Sequence, residues 1–203
     1  MFRLTLLILL FVSSLPVFAG NKTLLILGDS LSASYGMSLQ QGWVSLLEQR
    51  LAKADYEYTV INASISGETT AGAKVRMNNL LESVKPDITI VELGGNDGLR
   101  GLSPDEMLTN LAEITGALRQ KESEVLLIPI HLPPNYGKVY NDKIRSSYDQ
   151  IAEQEGVYLG RFILEGIGDN PDLMQSDGIH PTAEAQSMML ENVWPNLKPL
   201  LKN

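Results

Sequence analysis

The chain has 203 residues, 44% of them hydrophobic and 20% charged, which fits one globular domain and excludes a disordered or fibrous protein. It carries 24 acidic against 16 basic side chains, a formal charge of −8, so no broad positive field exists to neutralise a nucleic-acid backbone and no nucleic-acid partner is expected. With no cysteine and two histidines, the chain has no disulfide, thiolate metal site or cysteine nucleophile, and too few imidazoles for a histidine-rich zinc centre.

In chain order, the first 19 residues combine Arg3, an apolar run from Leu4 to Val12, and a segment ending in Val17-Phe18-Ala19. This is the three-part pattern of a secretory signal peptide. The alternative is a membrane anchor, but the run is well short of the roughly 20 residues that span a bilayer. Cleavage after Ala19 leaves a domain of residues 20–203 with 24 acids against 15 bases, a net −9, in the periplasm or outside the cell and without stable membrane insertion.

A short apolar strand is expected over Thr23 to Leu27, then the turn Gly28-Asp29-Ser30 and a helix from Gly42 to Ala54 with Trp43, Leu46, Leu47 and Leu51 near helical spacing. Tyr56 to Ile61 reads as the second strand, and Ser66-Gly67-Glu68 leads into a helix that ends near Val84, before Pro86. Ile88 to Leu93 is the third strand and empties into a glycine-rich turn, Gly94 to Gly98. Ser103-Pro104-Asp105-Glu106 has the form of a capping box and opens a helix through Arg119. Glu124 to Ile130 is the fourth strand, Pro133 to Gly137 a loop, Val139 to Glu155 a helix, and Val157 to Leu159 a short fifth strand. Residues 163–180 read as an irregular loop, and Pro181 to Val193 as the last helix, entered at Pro181 and stopped by Pro195. Alternating strands and helices with apolar strands predict a three-layer α/β/α domain around a flavodoxin-like, five-stranded parallel sheet.

In such a sheet, sites form at the carboxyl ends of strands. Three of those ends carry polar turns: Gly28-Asp29-Ser30-Leu31-Ser32, Ile65-Ser66-Gly67-Glu68 and Gly94-Gly95-Asn96-Asp97. Ser30 directly follows a strand, where a sharp turn exposes a hydroxyl beside backbone N–H groups. A serine hydroxyl needs a base, and the base needs an acid to orient it. Asp177-Gly178-Ile179-His180 supplies both within one turn of chain. Taken singly, Ser30 reads as an ordinary turn or N-cap serine and His180 as a surface histidine at a helix start; together with the glycine-rich turns they favour catalysis. His131 is the competing base, but Ile128 rather than an acid lies three residues before it, which favours a pocket-wall role. Asp29 and Asp97 are read as acids that accept backbone N–H groups and orient their loops.

Taken together, these segments resemble the four blocks of the GDSL (SGNH) hydrolases, and in particular their multifunctional periplasmic acyl-thioesterase, protease and lysophospholipase subfamily. The blocks are Gly28 to Ser32, Ala63 to Thr70, Gly94 to Asp97 and Asp177 to Pro181. The resemblance implies Ser30 as nucleophile, His180 as base and Asp177 as the acid that orients it, with Ser30, Gly67 and Asn96 forming the oxyanion hole. It also implies an acyl groove beside Gly94 to Leu102, bordered by Leu99, Leu102, Leu132, Pro133 and Tyr136. The substrate would be a small-molecule acyl ester or thioester, hydrolysed by a monomer through an acyl-enzyme, with no cofactor and no metal required. The first block has Ser32 where the elbow of ordinary α/β-hydrolases has a second glycine, so its local turn differs. His131 also departs from the arginine frequent in close relatives, which leaves acyl length and leaving group open. The competing readings are a carbohydrate acetyl esterase and, from another class, a non-enzymatic periplasmic protein that binds a small ligand.

Overall fold

The computed structural model describes residues 22–202; the leader expected over residues 1–19 lies outside them. The strands are β1 (Lys22–Gly28), β2 (Tyr58–Asn62), β3 (Ile88–Glu92), β4 (Glu124–Leu127) and β5 (Tyr158–Leu159). The helices are α1 (Trp43–Lys53), α2 (Thr70–Val84), α3 (Gly95–Leu99), α4 (Pro104–Gln120), α5 (Lys138–Glu155) and α6 (Gln186–Leu197). All strands pair in parallel in the order β2-β1-β3-β4-β5. The expected α/β/α architecture is therefore present, with β1 and β3 at the centre.

Leu24 to Leu27 of β1 are all fully buried, as a strand covered on both faces requires, so the run is continuously apolar instead of alternating. Leu24, Ile26, Ile88, Ile90 and Leu126 pack with Trp43, Leu47 and Leu51 of α1 and Met189, Val193 and Leu197 of α6. On the opposite face, Leu27, Val91, Val125 and Leu127 meet Met77 of α2, Leu111 and Leu118 of α4, and Tyr148 and Ile151 of α5. Each fully buried leucine or isoleucine contributes roughly 1.5–3 kcal/mol. Among the described residues, no helix is long and apolar enough to cross a membrane.

Several element limits differ from expectation. β2 runs Tyr58–Asn62 because its register begins at Lys22↔Tyr58 and continues to Ile26↔Asn62, while the Tyr56 N–H closes the exit of α1 on the Leu51 carbonyl at 3.0 Å. The glycine-rich turn after β3 contains one short helix, α3, entered at Gly94. Ser103 caps α4 by accepting the Glu106 N–H at 3.4 Å, the first half of a capping box.

The last helix is displaced. Pro181 does not open it; this residue is bridged to Met174 across a narrow antiparallel hairpin. A 3-10 turn over Ala183–Ala185 follows before α6 starts at Gln186. Pro195 lies inside α6 rather than beyond it. The carbonyl it leaves without a donor belongs to Glu191 on the exposed side of the helix, while Val193 and Leu197 stay buried on the packed side.

Candidate active site

The register Gly28↔Glu92 brings the ends of β1 and β3 level, so the chains leaving them emerge side by side. After β1 the backbone turns at once: the Ala33 N–H donates to the Asp29 carbonyl at 2.9 Å and the Tyr35 N–H to the Ser30 carbonyl at 3.2 Å. The loop after β2 is tied to this turn by Ile65 N–H to the Gly28 carbonyl at 3.1 Å and Asn62 Nδ2 to the Ser32 carbonyl at 2.8 Å. Three loops thus share one edge of the sheet.

Over that edge the last loop folds back as a hairpin. Its rungs are the Thr182 N–H to the Leu173 carbonyl at 2.8 Å and the Gln175 N–H to the His180 carbonyl at 2.7 Å. Asp177 sits at the tip, where Oδ1 accepts the N–H groups of Ile179 at 2.9 Å and His180 at 3.0 Å. Its other oxygen, Oδ2, lies 2.7 Å from His180 Nδ1, and His180 Nε2 lies 2.9 Å from Ser30 Oγ. Burial of Asp177 raises its pKa, but the hydrogen bonds from the His180 backbone and ring and from Ile179 overcome this and bring it down to about 2. The carboxylate is therefore charged at neutral pH and fixes the tautomer with Nδ1 protonated, leaving Nε2 to accept from the serine. The Tyr35 ring lies against the imidazole, with centroids 4.2 Å apart and planes at 33°.

Facing Ser30 are the residues of the second and third blocks. Gly67 has φ +80°, a left-handed conformation that favours glycine. Its loop is braced by Arg76 Nε, which donates to both Glu68 carboxylate oxygens at 3.0 Å, and by Arg100 Nη2, which donates to the Gly67 carbonyl at 2.8 Å. Among the described residues, nothing takes up the N–H of Ser30 or of Gly67. Asn96 Nδ2 donates one hydrogen to Asp29 Oδ2 at 3.0 Å and has a second to give. Gly94 precedes it with φ +111°, and a Cβ there would stand 2.2 Å from the Tyr148 hydroxyl, which itself donates to the Leu93 carbonyl at 2.7 Å.

The other acids hold loops. Asp97 accepts Thr70 N–H at 2.9 Å and Thr70 Oγ1–H at 2.5 Å, joining α3 to the start of α2. Asp29 accepts the Leu31 N–H at 3.1 Å as well as Asn96. Burial lifts Asp29 to about 6, against the pull of the Leu31 and Asn96 hydrogen bonds and the His180 charge. Glu92, fully buried at the end of β3, accepts Ser32 Oγ–H at 2.8 Å through one oxygen, and its other oxygen has no partner. Desolvation, then the Asp29 charge, raises its pKa well above its ordinary value. Glu92 stands out in the sequence as the one acid in the third strand, but nothing local to it signals a role.

The groove residues divide by exposure. Leu102 is exposed and Pro133 lies at the surface. Leu132 is buried in the core cluster, with its methyls where a Gly98 side chain would stand, and the Tyr136 hydroxyl donates to the Leu99 carbonyl at 3.0 Å. His131 packs on Phe162 with ring centroids 4.5 Å apart, and burial lowers its pKa. The imidazole set against Ser30 is that of His180.

Comparison with known proteins places this geometry. The family model for GDSL-like lipases and acylhydrolases matches residues 26–187. The chain belongs to this family. It is 50% identical over 183 residues to the esterase TesA of Pseudomonas aeruginosa, covering 90% of this chain and 91% of that protein. It is 40% identical over 185 residues to thioesterase 1/protease 1/lysophospholipase L1 of Escherichia coli, covering 91% and 88%. A crystal structure of TesA superposes with a TM-score of 0.86 at 49% identity over 89% of this chain and all of that one. This GDSL hydrolase is thus an enzyme and not a ligand-binding module.

Proposed function

We propose that this hydrolase cleaves carboxylic esters and thioesters of small acyl substrates, lysophospholipids included, with Ser30 as nucleophile. The observation that carries the reading is the continuous chain from Asp177 Oδ2 through the His180 ring to Ser30 Oγ, with links of 2.7 and 2.9 Å. His180 Nε2 takes the Ser30 proton as Oγ bonds to the acyl carbon, and the carbonyl π pair moves onto oxygen. The N–H groups of Ser30 and Gly67 and the second amide hydrogen of Asn96 hold that oxyanion. Collapse breaks the bond to the leaving alkoxide or thiolate, which takes the proton from His180. Water then releases the acid by the same route, with the Ser30 hydroxyl restored.

The exposed Leu102 and Pro133 offer apolar surface to an acyl chain, while Leu99, Leu132 and Tyr136 hold that wall in place. Residues 1–19 direct export, and the mature enzyme works as a monomer in the periplasm or outside the cell. Ser30→Ala tests the site: turnover is lost with the fold intact, and unchanged turnover in the pure variant rejects the role. Relative rates on short-acyl esters, long-acyl esters, acyl thioesters and acetylated sugars test the substrate class. An exclusive preference for sugar acetates overturns it.

A further inference from the structure

Gln175 stands two residues before Asp177, and its side chain crosses to the turn that carries Ser30. Its Nε2 donates to the Tyr35 carbonyl at 2.9 Å and to the Pro181 carbonyl at 2.9 Å, so both amide hydrogens are used. Its backbone N–H bonds the His180 carbonyl at 2.7 Å, and its own carbonyl accepts the Gly178 N–H at 2.9 Å. The contact is close on the far side too: a Cβ at Gly36 would stand 2.4 Å from Gln175 Oε1. The hairpin tip it supports buries no side chain, since Asp177, Gly178 and Ile179 are exposed. A segment with few buried apolar contacts keeps its place through such polar ties.

We propose that Gln175 is a positioning residue, whose amide clamps the hairpin bearing Asp177 and His180 onto the Ser30 turn and so sets the His180–Ser30 distance. The inference rests on the Ser30–His180–Asp177 reading above. The clamp acts on the base and not on the acyl group, so it bears on acylation and deacylation alike and leaves substrate binding untouched. A displacement of about 1 Å at reacting atoms costs on the order of 100-fold in rate.

The test is a comparison of Gln175→Met, which keeps length without donors, and Gln175→Glu, which replaces both N–H donors by a carboxylate facing two carbonyls. Steady-state kinetics on an aryl ester are paired with the rate of Ser30 labelling by an alkyl phosphonate, and the final labelled fraction counts the folded sites. Both variants are expected to lose about 10- to 100-fold in kcat and in labelling rate per folded site, with KM within about twofold. Full kcat per folded site in either variant overturns the clamp, as does a loss confined to KM. If Ser30→Ala keeps its turnover, the catalytic reading itself fails. If Ser30→Ala is inactive while the Gln175 variants are at full rate, only the clamp fails.

Discussion

Asn96 gives one amide hydrogen to Asp29 Oδ2 at 3.0 Å, so the side chain proposed to meet the oxyanion is aimed by the acid adjoining Ser30. Removing a single oxyanion donor typically costs about 10²–10³ in kcat. Asn96→Ala should fall in that range with KM little changed, because the lost bond strengthens only as charge develops on the substrate oxygen. A loss confined to KM, read from steady-state kinetics, would show that Asn96 binds substrate instead.

Asp29 also makes stability depend on pH. Burial places its folded pKa at about 6, above the ordinary 3.8. A raised folded value means that the group supports folding fully below its unfolded pKa and that this support is lost as pH rises through about 6. Asp29→Asn does not titrate. The melting temperature of the variant relative to the parent should therefore climb between about pH 4 and 6.5 and then level off. A difference that is flat across that range would show that Asp29 is not perturbed.

Asp177 has the opposite sign. Its folded value of about 2 lies below 3.8, so its contribution is present above about pH 4 and lost as pH falls through about 2. Asp177→Asn should lower kcat by about 10³–10⁴, since the amide neither fixes the His180 tautomer nor stabilises the imidazolium. Its acid unfolding, followed by circular dichroism, should be less steep than that of the parent below about pH 4. A variant within tenfold of the parent kcat would remove Asp177 from the mechanism.

Much of this arrangement is legible in the sequence because local chemistry and global fold agree. The fully apolar Leu24 to Leu27 demanded a covered strand, and Ser103-Pro104 marked a helix start that the backbone adopts. Asp177 and His180 were readable as a pair because a three-residue separation closes within one turn. Pro181 and Pro195 misled, since long-range bonds outweighed local preference: Pro181 is held by Met174 and Gln175, and α6 is kept regular through Pro195 by its buried face. Gln175 was invisible for a similar reason, because its partner Tyr35 lies 140 residues away. No local pattern marks such a pairing.

Gly94 offers a structural test separate from chemistry. Its φ of +111° and the Tyr148 hydroxyl 2.2 Å from a Cβ there make Gly94→Ala costly, at about 3 kcal/mol or more. Tyr148→Phe should cost about 1–3 kcal/mol by leaving the buried Leu93 carbonyl without its donor. With the hydroxyl gone the steric conflict eases but the backbone strain persists, so the double variant should lose less than the sum of the singles. Urea unfolding of the four proteins measures this coupling. Strict additivity would mean that the clash plays no part.

Glu92 carries the last prediction. It lies fully buried with one oxygen bonded to Ser32 and the other unpartnered, and desolvation followed by the Asp29 charge raises its pKa well above its ordinary value. The folded protein thus binds a proton there that the unfolded chain releases near its ordinary 4.5. Support from this group is complete below that value and declines as pH rises, until the folded group itself ionises. Glu92→Gln keeps an acceptor for the Ser32 hydroxyl and has no proton to lose. Its stability relative to the parent, taken from urea midpoints, should therefore rise as pH increases above about 4.5. A stability gap that does not change with pH would mean that Glu92 is ionised in the fold, and that the buried end of β3 holds a charge stabilised by the Ser32 hydroxyl and the Asp29 backbone N–H.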